Sequence, residues 1–173
     1  MKDAGFTFEV RLKNVEEKYP QELHLENVPE YLSKVKASAF REELKADEVL
    51  ITADTVVCIH DRILGKPADR KEAISMLQEL SGNRHLVVTG VSVTTRTKQL
   101  SFSSRTDVFF KHLSNEEIEF YVDTYKPFDK AGAYGIQEWI GYIGIERIEG
   151  SFYNVMGLPI QKLYETCLLY TSP

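Results

Sequence analysis

A single acid, Asp54, stands inside the apolar run Ile51-Thr-Ala-Asp-Thr-Val-Val57. A carboxylate in a buried strand loses solvation, which disfavours its charged form, raises its pKa and suits it to accept a proton. The structural alternative is that Asp54 bonds backbone amides at a bulge or turn. Lys66 lies in Gly65-Lys-Pro67, where proline fixes one backbone angle and glycine permits close approach. An ammonium held there suits a point contact with a phosphate; otherwise it is a solvated turn lysine. A third stretch, Asp129-Lys-Ala-Gly-Ala-Tyr-Gly-Ile-Gln137, combines glycines with polar side chains. Lys130 is either a further cation for an anionic ligand or the partner of Asp129. Gln137 offers both a donor and an acceptor, which suits the alternating carbonyl and N–H edge of thymine or uracil. An acid at a buried strand, a turn lysine and a glycine-rich polar loop together suit phosphate-ester chemistry.

Two further features bear on that chemistry. Glu16-Glu17 places two carboxylates side by side, and a magnesium ion needs only one or two protein ligands besides phosphates and water. Neighbouring side chains of an extended chain point to opposite faces, so one of the two would serve; taken alone, an acidic pair in a polar stretch is solvated. Lys36 falls on the polar edge of a predicted helix, where most lysines are ordinary surface charges. Trp139 and Tyr142 could stack on a base, although core or rim packing accounts for them more simply. His24, His60, His85 and His112 share no metal-ligand spacing.

The elements that must position these residues can be read from periodicity. Phe6 to Arg11 alternates as a strand does, and Val28 to Leu44 has a helical stripe of Tyr31, Leu32, Val35, Ala39 and Phe40. Glu48 to His60 is a long β-branched run, continuously apolar around Val56-Val57-Cys58-Ile59 as in a central strand, and Asp61-Arg62 turns it back. Asp69 with Glu72 predicts a capped helix through Leu80, closed by Gly82. His85 to Thr95 and Gln99 to Phe110 read as two long strands joined by a polar turn. Ser114 with Glu117 is a capping box for a helix with Ile118, Tyr121, Val122 and Tyr125 inward. Tyr142 to Ile148 reads as a strand, and Pro159 opens a last helix.

With 173 residues, 43% of them hydrophobic, the chain can fill one core and is short for two domains. Its formal charge of −5 argues against a nucleic-acid or anionic-membrane surface, which needs a net basic face. No run approaches the roughly 18 apolar residues of a membrane span, and no signal-peptide pattern opens the sequence. Cys58 and Cys167 are too distant and isolated for a zinc site or disulfide framework, in keeping with a reducing cytoplasm.

In order and spacing, the three stretches of the first paragraph, followed by Gly150-Ser-Phe-Tyr-Asn-Val-Met-Gly-Leu-Pro159, resemble the Maf family of nucleoside triphosphate pyrophosphatases, from about Gly5 to about Leu163. The resemblance implies an α/β fold of Maf/ITPase type: a mixed, elongated central sheet flanked by helices, with the site in a cleft between two lobes. It makes Asp54 the proton acceptor that activates water for attack at the α-phosphorus. Lys66 and Lys36 match family lysines, and the acidic-pair position favours Glu17. Glu17 and Asp54 are then the expected ligands of a divalent cation, magnesium or manganese. Thr55 and Gln137 match specificity positions of the branch acting on dTTP and UTP, with Lys130 beside the substrate; glutamate in place of Gln137 goes with 7-methyl-GTP. The expected partner is a nucleoside triphosphate, with no membrane or stable nucleic-acid partner, and family members often form homodimers. Maf proteins also carry a first strand and a Ser-x-Ser-Pro-Arg-Arg segment that this sequence lacks. The chain therefore reads as one Maf-like domain, 1–173, without that strand and loop, its residues 167–173 forming a non-native tail. The family's historical link to septum formation implies an alternative, a non-catalytic regulator of cell division, which would need neither Asp54 nor Lys66.

Overall fold

The long β-branched run from Leu50 to Ile59 forms strand β1, and everything that positions the cleft is built on it. His60 and Asp61 both adopt positive φ, reversing the chain tightly into β2, Arg62–Leu64. Strand β3, Arg84–Thr94, pairs along nearly all of β1, and β4, Gln99–Phe110, pairs along all of β3. Strand β5, Ile145–Glu149, closes the order β2-β1-β3-β4-β5. The computed structural model describes residues 1–171. Among them the expected arrangement of a central sheet flanked by helices is present, and all four ladders are antiparallel.

Helices cover both faces. On one, α1, Val28–Ser38, packs Val28 and Leu32 against Val56, Cys58 and Val88. Its N-terminus lies so close to Gly90 that a β-carbon there would fall 2.1 Å from the Glu30 nitrogen. The Ser33 hydroxyl meets that of Ser92 at 2.7 Å. On the other face, α2 (Arg70–Leu80) and α3 (Asn115–Tyr125) enclose the largest core with Val57, Val87 and Val108. Both start on the side-chain caps anticipated, Asp69 accepting from the Glu72 amide and Ser114 with Glu117 forming a full capping box. A separate cluster joins Val91 and Val93 to Leu163 of a C-terminal helix. The intervening segments are α4, Trp139–Gly144, and the single turn α5, Phe152–Val155; the C-terminal helix, Ile160–Thr171, is α6.

Three predicted elements differ. Phe6 to Arg11 pairs with no strand; without a neighbour to take its amides it runs as exposed coil, held by Arg11 to Glu48 at 2.8 Å. The first helix stops at Ser38 and gives way to a 3-10 turn at Arg41–Glu43. Its buried face is Val28, Pro29, Leu32, Ser33 and Ala37, with Tyr31 and Ala39 exposed, because the helix is seated by Gly90 rather than by its bulkiest stripe. Tyr142 begins no strand: residues 139–144 coil as α4 because Gly141 lets the chain press on Ile136, where a β-carbon would sit 1.7 Å from the carbonyl oxygen. Of the segment 167–173, the helix α6 includes residues up to Thr171, and 172–173 lie outside the described residues.

Candidate active site

Strand β2 pairs with β1 only from Val57 to Ile59, so the outer edge of β1 around Asp54 and Thr55 has no second strand beside it. A cleft of about 500 Å³ opens there. Alternation sends Asp54 toward α1 and Thr55 toward Thr89 on the opposite face, yet both border the cleft because it wraps the free edge. The fold brings all seven sequence-nominated residues to its walls: Glu17, Lys36, Asp54, Thr55, Lys66, Lys130 and Gln137.

Asp54 sits in an unbroken β1–β3 register opposite Gly90, so no bulge surrounds it. Its side chain turns to Lys36, whose Nζ lies 2.6 Å from Oδ1 and 3.0 Å from a Glu17 oxygen. One ammonium on the inner edge of α1 thus joins two carboxylates. Burial raises the Asp54 pKa; Lys36 pulls it down, Glu17 raises it again, and the net position is above the usual carboxylate range. Burial also lowers Lys36, but its bonds to Asp54 and Glu17 outweigh that and hold it above the ordinary lysine value. Asp54 is therefore an ionisable acid, mostly screened from water, whose protonation both neighbours control.

Opposite stands the glycine-rich loop. The Gly132 amide donates to the Gly65 carbonyl at 3.1 Å, clipping this loop to the turn that carries Lys66. Gly132 itself has φ +68° and would press a β-carbon against Val57, so the position demands glycine. Lys66 has no ion-pair or hydrogen-bond partner among the described residues and is available to an anion. Lys130 is paired, at 3.0 Å to Asp129 and 3.2 Å to Glu138. Its stem lies against Gly135, where a β-carbon would come within 2.9 Å of Cε.

The cleft is lined by three lysines (36, 66, 130) and three acids (Glu17, Asp54, Asp129), so its formal charge is balanced before any polyphosphate enters. Among the described residues no group of three or more histidine, cysteine or acidic side chains could hold a metal by itself. Glu17 and Asp54 nevertheless offer hard oxygen donors close together, and in each only one oxygen is engaged by Lys36. That donor set fits an ion completing its shell with substrate phosphates and water.

Some contributors carry no sequence signal of their own. Tyr121, buried in α3, donates to Glu138 at 2.5 Å and accepts from the Gly135 amide at 3.0 Å, holding the loop that bears Lys130 and Gln137. Asn154 is fully buried and donates to the Val87 carbonyl and the Thr106 hydroxyl, which sets Met156 and Gly157 against the cleft. Tyr19 also lines it. Trp139 packs on Phe120 and Tyr142 is largely exposed; neither reaches the cleft. Glu16 pairs with Lys18 away from it.

Known proteins resemble this chain over nearly its whole length. A family model described as Maf-like protein matches residues 1–168. A protein of Bacteroides thetaiotaomicron named dTTP/UTP pyrophosphatase is 54% identical over 165 residues, covering 95% of this chain and 86% of its own length. Proteins of the same name from Parabacteroides distasonis and Porphyromonas gingivalis are 53% and 55% identical, over 91% and 88% of this chain and 82% and 78% of their own lengths.

Proposed function

This chain belongs to the Maf-like protein family, and from that premise we propose that it hydrolyses dTTP and UTP to the nucleoside monophosphate and pyrophosphate. The observation that carries the mechanism is Asp54: a screened carboxyl with a raised pKa, bordering a cleft that also presents Lys66 and Lys130. In this scheme Asp54 takes a proton from a water molecule as the water oxygen bonds to the α-phosphorus. The bond from that phosphorus to the α–β bridging oxygen breaks, and pyrophosphate leaves with the electron pair. Lys36 keeps Asp54 ionised enough to act, while Lys66 and Lys130 lie where they can neutralise the polyphosphate. Thr55 and Gln137 face the base. Glu17 and Asp54 would hold a magnesium or manganese ion, which supplies positive charge that the balanced lysines and acids of the cleft lack. Among the described residues no helix is long and apolar enough to cross a membrane, and we place the reaction in the cytoplasm, where its nucleotide substrates are made.

Hydrolysis in ¹⁸O-labelled water tests the site of attack. Label appearing in the nucleoside monophosphate and absent from pyrophosphate is the expected result. Label in pyrophosphate, or orthophosphate as the product, would mean that water attacks elsewhere on the chain of phosphates.

A further inference from the structure

Thr55 and Thr89 stand directly opposite each other on β1 and β3, their hydroxyl oxygens 2.8 Å apart. Thr55 borders the cleft, whereas Thr89 is fully buried behind it. The Thr89 oxygen also lies 3.0 Å from the main-chain carbonyl of Asn154. That carbonyl has no proton to give, and a threonine hydroxyl has only one. The Thr89 proton must therefore go to Asn154, and the proton between the two threonines must come from Thr55. The carbonyl cannot swing away, because the Asn154 side chain is bonded to Val87 and Thr106 and the Gly157 amide donates to the same oxygen at 3.0 Å. Thr55 consequently presents only lone pairs to the cleft. Its hydroxyl, which in water gives or accepts with equal ease, has been made an acceptor.

We propose that Thr89 is a specificity-positioning residue: it fixes Thr55 as an obligate acceptor, so the cleft takes a pyrimidine whose ring N3 carries a proton and refuses one whose N3 is a bare acceptor. The inference rests on the proposed role of Thr55 in facing the base. Uracil and thymine carry that N3 proton; cytosine has a lone pair there and meets another lone pair. Gln137 cannot make this distinction alone, since its amide can turn over to match either polarity. An acceptor facing the 4-position would instead favour the cytosine amine over the uracil carbonyl, so the preference for dTTP and UTP requires the contact to be at N3. A buried threonine that never touches substrate thereby sets which base is read, through the direction of one proton.

The test compares kcat/KM for UTP and CTP, with magnesium, in the wild type, Thr89→Val, Thr89→Ser and Thr55→Val. Valine keeps the shape of threonine and removes the group that receives the Thr55 proton, freeing Thr55 to donate. The expected result is a fall of about tenfold or more in the UTP-to-CTP ratio, driven by a gain or smaller loss on CTP, with the ratio restored in Thr89→Ser; a mispaired polar contact is worth at least that much. A purely structural Thr89 would lower both substrates together, and an unchanged ratio in folded Thr89→Val would overturn the inference. If Thr55→Val collapses the ratio while Thr89→Val does not, Thr55 reads the base and only the role of Thr89 fails. If neither changes it, Thr55 does not read the base, and the premise fails as well. Circular dichroism and thermal melting establish folding, and Thr89→Ala, which removes the hydroxyl without requiring the valine shape to fit, decides the matter on the same ratio should the valine variant not fold.

Discussion

Lys36 and Glu17 act on Asp54 with opposite sign, and this makes the proton acceptor open to a direct test. Lys36 lowers the Asp54 pKa and Glu17 raises it, on top of a larger upward push from burial. The rate should fall on the acid side as Asp54 becomes protonated, with a midpoint above the ordinary aspartate range. Removing the cation in Lys36→Met should move that limb to higher pH; removing the second carboxylate in Glu17→Gln should move it to lower pH. The pH profile of kcat/KM for UTP checks both, and limbs that stay in place in the two variants would detach Asp54 from the titration. Asp54, Lys66 and Gln137 were legible in the sequence because each sits in a short local pattern. Thr89, Tyr121 and Asn154 were not: their roles come from hydrogen bonds to residues 14 to 67 positions away, which no local pattern encodes.

At the level of elements, one glycine determines where α1 sits and hence where Lys36 reaches. A β-carbon on Gly90 would meet the Glu30 nitrogen at 2.1 Å and the Pro29 carbonyl carbon at 2.3 Å, both backbone atoms that cannot rotate aside. Gly90→Ala must therefore lift the N-terminus of α1 off the sheet. We expect a loss of about 1–3 kcal/mol or more in denaturant unfolding, the usual range for overpacking. A fall in kcat should accompany it, since Lys36 is displaced from Asp54. Unchanged stability would mean that α1 is not seated as described. The same contact explains why the helix period located α1 and its buried Leu32 but misplaced part of its inner face. Tyr31 and Ala39 fit an apolar stripe, but the close approach at Gly90, a long-range packing constraint, rotates the helix to bury Ser33 instead. The capping signals at Asp69 and Ser114 are local and were read correctly.

Across the whole molecule, acid sensitivity has an identifiable source in the core. His85 lies between Phe110 and Tyr134, bonds the Tyr134 hydroxyl at 2.7 Å, and is pushed by burial down to about 3 from 6.5. The unfolded chain therefore binds a proton on this side chain that the folded chain does not, between pH 6.5 and about 3. Stability must then rise with pH through that window and fall as the solution is acidified, by up to about 1.4 kcal/mol per pH unit for one proton. Urea unfolding of His85→Asn should show a shallower dependence than the wild type over the same window. Equal slopes would mean that His85 ionises equally in both states. Strand periodicity and helix-capping signals pointed to an α/β fold, which the sheet and its two helical faces realise. What they could not reveal is that β2 stops short and leaves the edge of β1 open at Asp54.

The most direct measurement is pyrophosphate release from dTTP, UTP, CTP, GTP, ATP and 7-methyl-GTP, with magnesium, by this chain and by its Asp54→Asn variant. Release should be fastest from dTTP and UTP and should drop by about 10²–10⁴-fold in the variant, the range for loss of a positioned general base, with its melting temperature preserved. Equal activity in a folded Asp54→Asn protein, or no release from any triphosphate by the folded wild type, would contradict the account.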